Sequence, residues 1–391
     1  MEYICPICDS RKVDIFLEIP QVPVYCNLLY ETREDAVNAK RADMQLGFCK
    51  SCGHVYNYAF NPNLMDYAQN YENSLHFSPR FQKYAEELAG DLVKRYDLYN
   101  KDIIEIGCGD GDFLELLCRM GNNRGFGFDP SHVPDLDKAG DKKRITFIRD
   151  YFSKKYSHYK VDLICCRHVL EHIQNPGQFL KNVRTGVGDN TDPIVFFEVP
   201  NALYTLKDLG IWDLIYEHCS YFSFASLRTV FKRAGFEVIR DSERFQGQFL
   251  CIEAKPALDG GFLAEKQAEN STDIGEYVAR FEKEFRKKLT RWTEELERME
   301  ADGRSAIVWG AGSKGVTFLN NLKSRQQIKY VVDINTRKQG KFVAGTGQEI
   351  MPPESLKEYH PEIIIVMNPN YLSEIEQKLR KLKLKSEFLL V

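Results

Sequence analysis

From about residue 76 onward, apolar and polar positions fall into alternating blocks that read as strand, turn and helix. In "FSPRFQKYAEELAGDLVKRYDL", Phe81, Tyr84, Leu88 and Leu92 recur every three or four positions with charge between them, which predicts a helix with one buried face. Short apolar runs then follow, each ending in polar residues: "DIIEI", "RGFGFDP", "ITFIRDYF", "VDLICCRHVLEHIQNP" and "PIVFFEVPN". Such runs predict buried strands of an open α/β sheet, whose carboxyl ends form a ligand crevice. Ile274, Val278, Phe281, Phe285, Leu289, Trp292, Leu296 and Met299 make one apolar stripe at helical spacing, so residues 257–303 predict a linking helix that packs on its neighbours. Strand and glycine turn begin again at "SAIVWGAGSKGVTFLNNL", followed by "IKYVVDIN" with Asp333 at its end, and by "PEIIIVMNPNY". The expected division is therefore 1–75, 76–256, 257–303 and 304–391, the last a second, small Rossmann-like unit.

Residues 1–75 break this rhythm. They hold "CPIC" (Cys5, Cys8) and "CKSC" (Cys49, Cys52), separated by a segment rich in Pro, Tyr and Asn that reads as irregular. Four thiolates in two CxxC pairs close tetrahedrally on one Zn²⁺ and leave no room for water, so the site is expected to be structural. Cys26 stands alone and is left out of the ligand set. Eleven scattered cysteines suit a reducing cytosol better than a disulfide frame, and "MEYICPICDS" lacks the regions of a signal peptide. A net charge of −3 offers no broad basic field for nucleic acid or an anionic membrane, and no apolar run approaches the roughly 20 residues that cross a bilayer. The reading is a cytoplasmic protein, monomeric or weakly dimeric, with a small-molecule substrate.

The chemistry gathers at three places. In "EIGCGDG" the strand runs into Gly107, Gly109 and Gly111, where missing side chains let the backbone approach a ligand and turn into a helix N-terminus. Glu105 precedes the glycines, and Asp129 ends the next strand, about where a ribose diol needs a bidentate acceptor. In "IWDLIYEHCSYFS" a carboxylate and an imidazole, Glu217 and His218, stand side by side among large apolar residues. His168 reads as a core histidine, and Glu171 as a helix N-terminal acid favoured by the dipole. The "GAGSKG" turn alone suits a nicotinamide cofactor, but the unit around it is short and the first glycine turn already accounts for one nucleotide cofactor.

"EIGCGDG", "GFDPS" and "HVLEHIQNP" fall in the order and spacing of the class I S-adenosylmethionine methyltransferases, which the central part resembles. Together with the two CxxC pairs, "YEHCSYFS" and "WGAGSKGVTFLNNL", nearly the whole chain is similar to the sugar C-methyltransferases of deoxysugar and polysaccharide pathways. That resemblance implies a class I Rossmann-like core between a zinc-binding domain and a C-terminal Rossmann-like domain, with S-adenosylmethionine and Zn²⁺ bound. It places Gly107 and Gly109 at the methionine part of the cofactor, Asp129 at the ribose, and Asp150 with Tyr151 at the adenine. It implies methylation of a carbon beside a keto group on a nucleotide-linked sugar, with His218 as base tuned by Glu217, His172 polarising the ketone, and Tyr71 closing the site. One departure is Ile215, where the family has a tyrosine; the neighbouring Tyr216 points another way and does not inherit that role. The nearest rival is an O- or N-methyltransferase of a sugar or small metabolite. A zinc-ribbon nucleic-acid binder lacks its basic, aromatic-studded stripe here. A non-catalytic binding protein is disfavoured by the intact glycine and acid motifs.

Overall fold

The computed structural model describes residues 3–65, 71–132, 144–188, 192–257, 271–322 and 327–391. Within these, three sheets carry the architecture. The central one has seven strands in the order Phe236–Arg244, Phe249–Pro256, Ile194–Pro200, Leu163–Arg167, Asp102–Ile106, Arg124–Phe128, Ile145–Ile148. The last five run parallel, and Phe249–Pro256 is antiparallel to both its neighbours. Both faces are covered, which is why the strands read as continuous apolar runs. Ile103, Leu163, Cys165, Ile194 and Phe196 pack with the helices Pro79–Arg95 and Asp112–Gly121. Their sequence neighbours Ile104, Ile164, Cys166, Val195 and Phe197 pack with Pro176–Val187 and Phe224–Arg233 on the other side. The pleat sends alternate side chains to opposite faces, so one run feeds two cores.

The N-terminal segment is more regular than its composition predicts. Val13–Pro23 pairs with Arg41–Cys49, which pairs with Val55–Asn57, all antiparallel. The prolines that argue against a strand are absorbed by a register shift between Ile19 and Val22, where Pro20 has no ladder bond to donate. A fourth strand completes this sheet from far along the chain: Ser220–Tyr221 pairs with Val55 and Tyr56. The sheet of the cysteine-rich segment thus includes residues that begin two positions after His218.

The C-terminal unit is a five-stranded parallel sheet, ordered Glu349–Met351, Tyr330–Val332, Ala306–Trp309, Ile363–Val366, Glu387–Leu390. The long helix Ser271–Ala301 carries the predicted stripe, and Phe281, Phe285, Leu296 and Met299 are buried. One apolar core runs without a break from Leu17 and Leu46 through Trp212 and Tyr216 and this helix to Val308 and Phe318. No helix among the described residues is long and apolar enough to cross a membrane.

Candidate active site

The chain order of the central sheet reverses between Asp102–Ile106 and Leu163–Arg167, and a cleft of about 1470 Å³ opens there, reaching the C-terminal sheet. Its walls include Glu105, Gly107, Gly109, Asp129, Asp150, Tyr151, Tyr71, His172 and His218, so nearly all the residues singled out from the sequence meet in one space. Glu217 does not line it and is fully buried, and the four cysteines of the N-terminal segment stand apart from it.

The glycine turn is shaped by necessity. Gly107 has φ +70°, and a Cβ there would sit 2.3 Å from Val169. Gly109 has φ +52° with nothing within 4 Å of a Cβ, so its backbone lies bare to the cleft. Its N–H donates to Asp129 Oδ2 at 2.9 Å, while Oδ1 accepts the Ser131 N–H at 2.8 Å. An open glycine backbone beside a strand-end carboxylate fits the methionine and ribose parts of S-adenosylmethionine. Glu105 is buried at the same wall. Its Oε2 accepts the Leu114 N–H at 3.1 Å, capping a helix whose own N-cap, Gly111, has no side chain to offer. Burial pushes its carboxyl up to about 8. Asp150 is held by the Tyr156 hydroxyl at 2.6 Å and the Lys155 ammonium at 3.0 Å, which bring its carboxyl down to about 2. The neighbouring Tyr151 ring is 74% exposed, an apolar face free to cover a bound ring system.

Two histidines line the same cleft. The His172 and His218 rings lie 4.9 Å apart, near perpendicular. His172 Nδ1 faces the backbone carbonyl of Glu217 at 3.0 Å. A carbonyl only accepts, so Nδ1 carries the proton, and Nε2 offers a lone pair unless it is protonated as well. Burial, then the positive fields of His172, His168 and Lys314, push the His218 imidazole well below 6.5 and keep it neutral. The expected tuning of His218 by Glu217 takes a different route. Among the described residues the His218 ring makes no hydrogen bond, because consecutive side chains diverge. The Glu217 carboxylate instead accepts the Cys26 N–H at 2.9 Å and a bond from Tyr71, and burial raises its pKa. Glu217 therefore ties Tyr71 and the Cys26 loop to the segment that carries His218. Tyr216 is buried and its hydroxyl accepts the Asn61 N–H at 2.8 Å, a structural bond away from the cleft.

Two sequence expectations change. His168 is not a plain core residue: it lines the cleft at φ +54°, with Nε2 2.9 Å from Glu198 and Nδ1 3.7 Å from Glu171. Burial disfavours its charge, but the Glu171 and Glu198 carboxylates beside it outweigh burial and lift it to about 9. Glu171 stands in a first helical turn as expected, but that turn is short and its carboxylate is buried. It lies in the 3₁₀ turn Leu170–His172, 1% exposed, facing the histidines. Sequence reading also missed Lys314, whose ammonium meets the Asp213 carboxylate across the cleft, and Arg337, which reaches Glu72 at 3.0 Å and Asp110 at 2.9 Å. A cation after a glycine turn was the available signal for Lys314; Arg337 had none.

The four cysteines converge at the end of the strand Arg41–Cys49. Cys5 and Cys52 Sγ stand 3.6 Å apart, as do Cys8 and Cys49, and all four lie within 4.8 Å of one another. A tetrahedral Zn²⁺ with bonds near 2.3 Å places its sulfurs about 3.8 Å apart, so the cluster fits that ion. Hydrogen bonds from Cys5, Cys52 and Cys8 pull Cys49 down, and the bond to Cys49 pushes Cys52 up: the thiols share protons where a dication would take several thiolates.

A family model for a methyltransferase domain matches residues 81–241, and one for a C-methyltransferase C-terminal domain matches residues 254–390. C-methyltransferase NovU of Streptomyces niveus is 26% identical over 310 residues, covering 75% of this chain and 72% of that protein. Ubiquinone biosynthesis O-methyltransferase of Proteus mirabilis is 26% identical over 90 residues, 22% of this chain and 37% of that one. Among solved structures, magnesium protoporphyrin IX methyltransferase (ChlM) from Synechocystis PCC 6803 with bound SAH is 17% identical. It covers 46% of this chain and 84% of its own, with a TM-score of 0.35.

Proposed function

We propose that this chain, an S-adenosylmethionine-dependent methyltransferase of the C-methyltransferase family, methylates a carbon beside the ketone of a nucleotide-linked keto-deoxysugar. The observation that carries this reading is a single cleft lined by both the glycine turn and the His218 imidazole, whose burial lowers its pKa and favours the neutral ring. Carbon is a poor nucleophile until it loses a proton, and a neutral imidazole is the side chain suited to take one near neutral pH.

Bound S-adenosylmethionine supplies an electrophilic methyl on a sulfonium. Gly107 and Gly109 receive its methionine part, Asp129 its ribose, and Asp150 with Tyr151 the adenine end. On the other wall, His218 takes the proton from the carbon next to the ketone. The electron pair of that C–H bond moves into the enolate, whose oxygen gathers the charge. His172, fixed by the Glu217 carbonyl, meets that oxygen with Nε2–H in the form that carries both ring protons. The enolate would then re-form the ketone as its carbon bonds to the methyl, while the methyl–sulfur bond breaks and its electron pair leaves with the thioether S-adenosylhomocysteine. Tyr71, bonded to Glu217, closes the site from the side of the cysteine-rich sheet. Support for a nucleotide-linked acceptor comes from the second glycine turn, which opens the helix Ser313–Asn321 toward the same cleft, an N-terminus favourable to phosphate. Zinc at Cys5, Cys8, Cys49 and Cys52 holds the sheet on which this segment rests.

The test is solvent exchange. With a bound but unreactive cofactor analogue and a nucleotide 4-keto sugar, the enzyme should exchange the acceptor carbon's hydrogen with deuterium. His218→Ala should lose the exchange, and turnover should fall about 10²–10⁴-fold. Full activity in that variant rejects His218 as base and turns attention to Tyr71. A product methylated on oxygen or nitrogen rejects the enolate, and His218 would then be deprotonating a heteroatom.

A further inference from the structure

Two hydrogen bonds clamp the turn Leu170–His172 to the segment that carries His218. His172 Nδ1 donates to the Glu217 carbonyl at 3.0 Å, and Cys219 Sγ donates to the Glu171 carbonyl at 3.5 Å. The clamp sets the Glu171 side chain beside the His218 ring, with a carboxylate oxygen and a ring nitrogen within 4.8 Å of each other. Glu217, next to His218 in sequence, turns its carboxylate to Cys26 and Tyr71 instead. Glu171 keeps one oxygen unspent. The residue is 1% exposed, Oε1 stands 3.7 Å from His168 Nδ1, and Oε2 has no hydrogen-bond partner. A buried carboxylate oxygen without a donor costs free energy. This atom is out of reach of solvent, so its donor has to come from a neighbouring side chain.

We propose that Glu171 is the positioning residue of His218: its unspent oxygen holds the N–H of the imidazole, aims the ring's lone pair at the acceptor carbon, and neutralises the imidazolium once that lone pair has taken the proton. The proposal rests on His218 being the base. A neutral imidazole has one N–H and one lone pair. With no acceptor for the N–H, neither the tautomer nor the ring orientation is fixed; a buried carboxylate fixes both, as in the hydrolytic triads. The protonated ring then carries its charge in a field made positive by His172, His168 and Lys314, the last paired with Asp213. Glu171 supplies the opposing charge. The thiols of Cys166 and Cys219 also face it, and burial pushes both up and keeps them neutral. A charge-assisted bond needs about 2.7–2.9 Å, so the ring swings toward Glu171 as the site closes on its acceptor. Catalytic hydrogen bonds commonly tighten in this way.

The experiment reads deuterium exchange at the acceptor carbon of a nucleotide 4-keto sugar, with a bound but unreactive cofactor analogue and zinc-filled enzyme. Glu171→Gln should slow exchange about 10²-fold and leave cofactor affinity and acceptor KM essentially unchanged. The acidic limb of kcat/KM should move to lower pH, because the imidazolium has lost its counter-charge. Glu171→Asp keeps the charge and should recover part of the rate, with the limb nearer its place. In a His218→Ala background, Glu171→Gln should cost nothing further, since it acts through that ring. A limb that stays in place, or an equal loss in the His218→Ala background, makes Glu171 merely structural and overturns the proposal. If Glu171→Gln does not fold, ring NMR of the unaltered enzyme decides: a low-field N–H proton that is lost in His218→Ala supports the pairing, and its absence overturns it. Full exchange in Glu171→Gln with none in His218→Ala overturns this proposal and leaves the base standing. Full exchange in His218→Ala overturns the base, and the proposal with it.

Discussion

The Glu217 carboxylate accepts the backbone N–H of Cys26 at 2.9 Å, across 191 positions of sequence. A buried donor in the cysteine-rich segment is satisfied by the residue next to the proposed base, so the two segments hold each other's geometry. Glu217→Ala would leave the Cys26 N–H and the Tyr71 hydroxyl without this acceptor. We expect a loss of about 2–4 kcal/mol in chemical denaturation, and a much smaller loss for Glu217→Gln, which keeps an acceptor oxygen. Equal losses in the two variants would place the effect in side-chain volume instead.

The pH dependence of kcat/KM follows from the field around His218. Burial, then the neighbouring His172, His168 and Lys314, lower its pKa, so the acidic limb should fall below pH 6.5, not at it. Lys314→Met removes one of those cations and should move the limb toward higher pH. A limb that stays in place in this variant separates Lys314 from the base.

Purified protein should hold about one tightly bound Zn²⁺ per chain. Cys49→Ser breaks the ligand set at the end of a strand whose partner, Val55–Asn57, also pairs with Ser220–Tyr221. Loss of zinc should therefore loosen the cysteine-rich sheet and abolish methyl transfer together, although no thiol of the cluster lines the cleft. Hydrogen exchange of the amides at 220–221 reads this directly, and unchanged protection there refutes the link.

Asp129→Ala should weaken S-adenosylmethionine binding by about 2–4 kcal/mol in calorimetry, through loss of two charge-assisted bonds to the ribose. Because Asp129 also accepts the Gly109 N–H, Asp129→Asn is the informative partner. It keeps an acceptor for the turn but not the charge, and should recover only part of the affinity. Unchanged affinity in both would mean that the ribose lies elsewhere.

His54 is 1% exposed, and neither ring nitrogen has a hydrogen-bond partner. Burial brings its pKa down to about 3. Between pH 6.5 and 3 the unfolded chain binds a proton here that the folded chain refuses. Stability should therefore fall with falling pH by up to about 1.4 kcal/mol per unit from this group. His54→Phe, beside Phe222 at 5.1 Å, should flatten that slope when zinc content is monitored in parallel. An unaltered slope would assign the acid sensitivity to the thiolates.

Much of this protein is written locally. Strand and helix periods depend on neighbours two to four positions away, so the buried runs at 103–106, 163–167 and 194–199, the stripe from Ile274 to Met299, and the glycine turn were legible from the chain alone. Two CxxC pairs announced the thiol cluster because each pair is a local turn, and the strand-end acid Asp129 followed from strand order. Tertiary structure decided what those elements do to one another. Nothing near Cys26 in sequence marks it as the partner of Glu217. Nor does a local pattern tell that Ser220–Tyr221 joins the cysteine-rich sheet, that Arg337 reaches Asp110, or that Glu171 turns inward between three histidines. Such contacts are set by which apolar faces must be buried together and by which polar groups are then stranded without water. That accounting closes only when segments dozens to hundreds of residues apart are packed into one core.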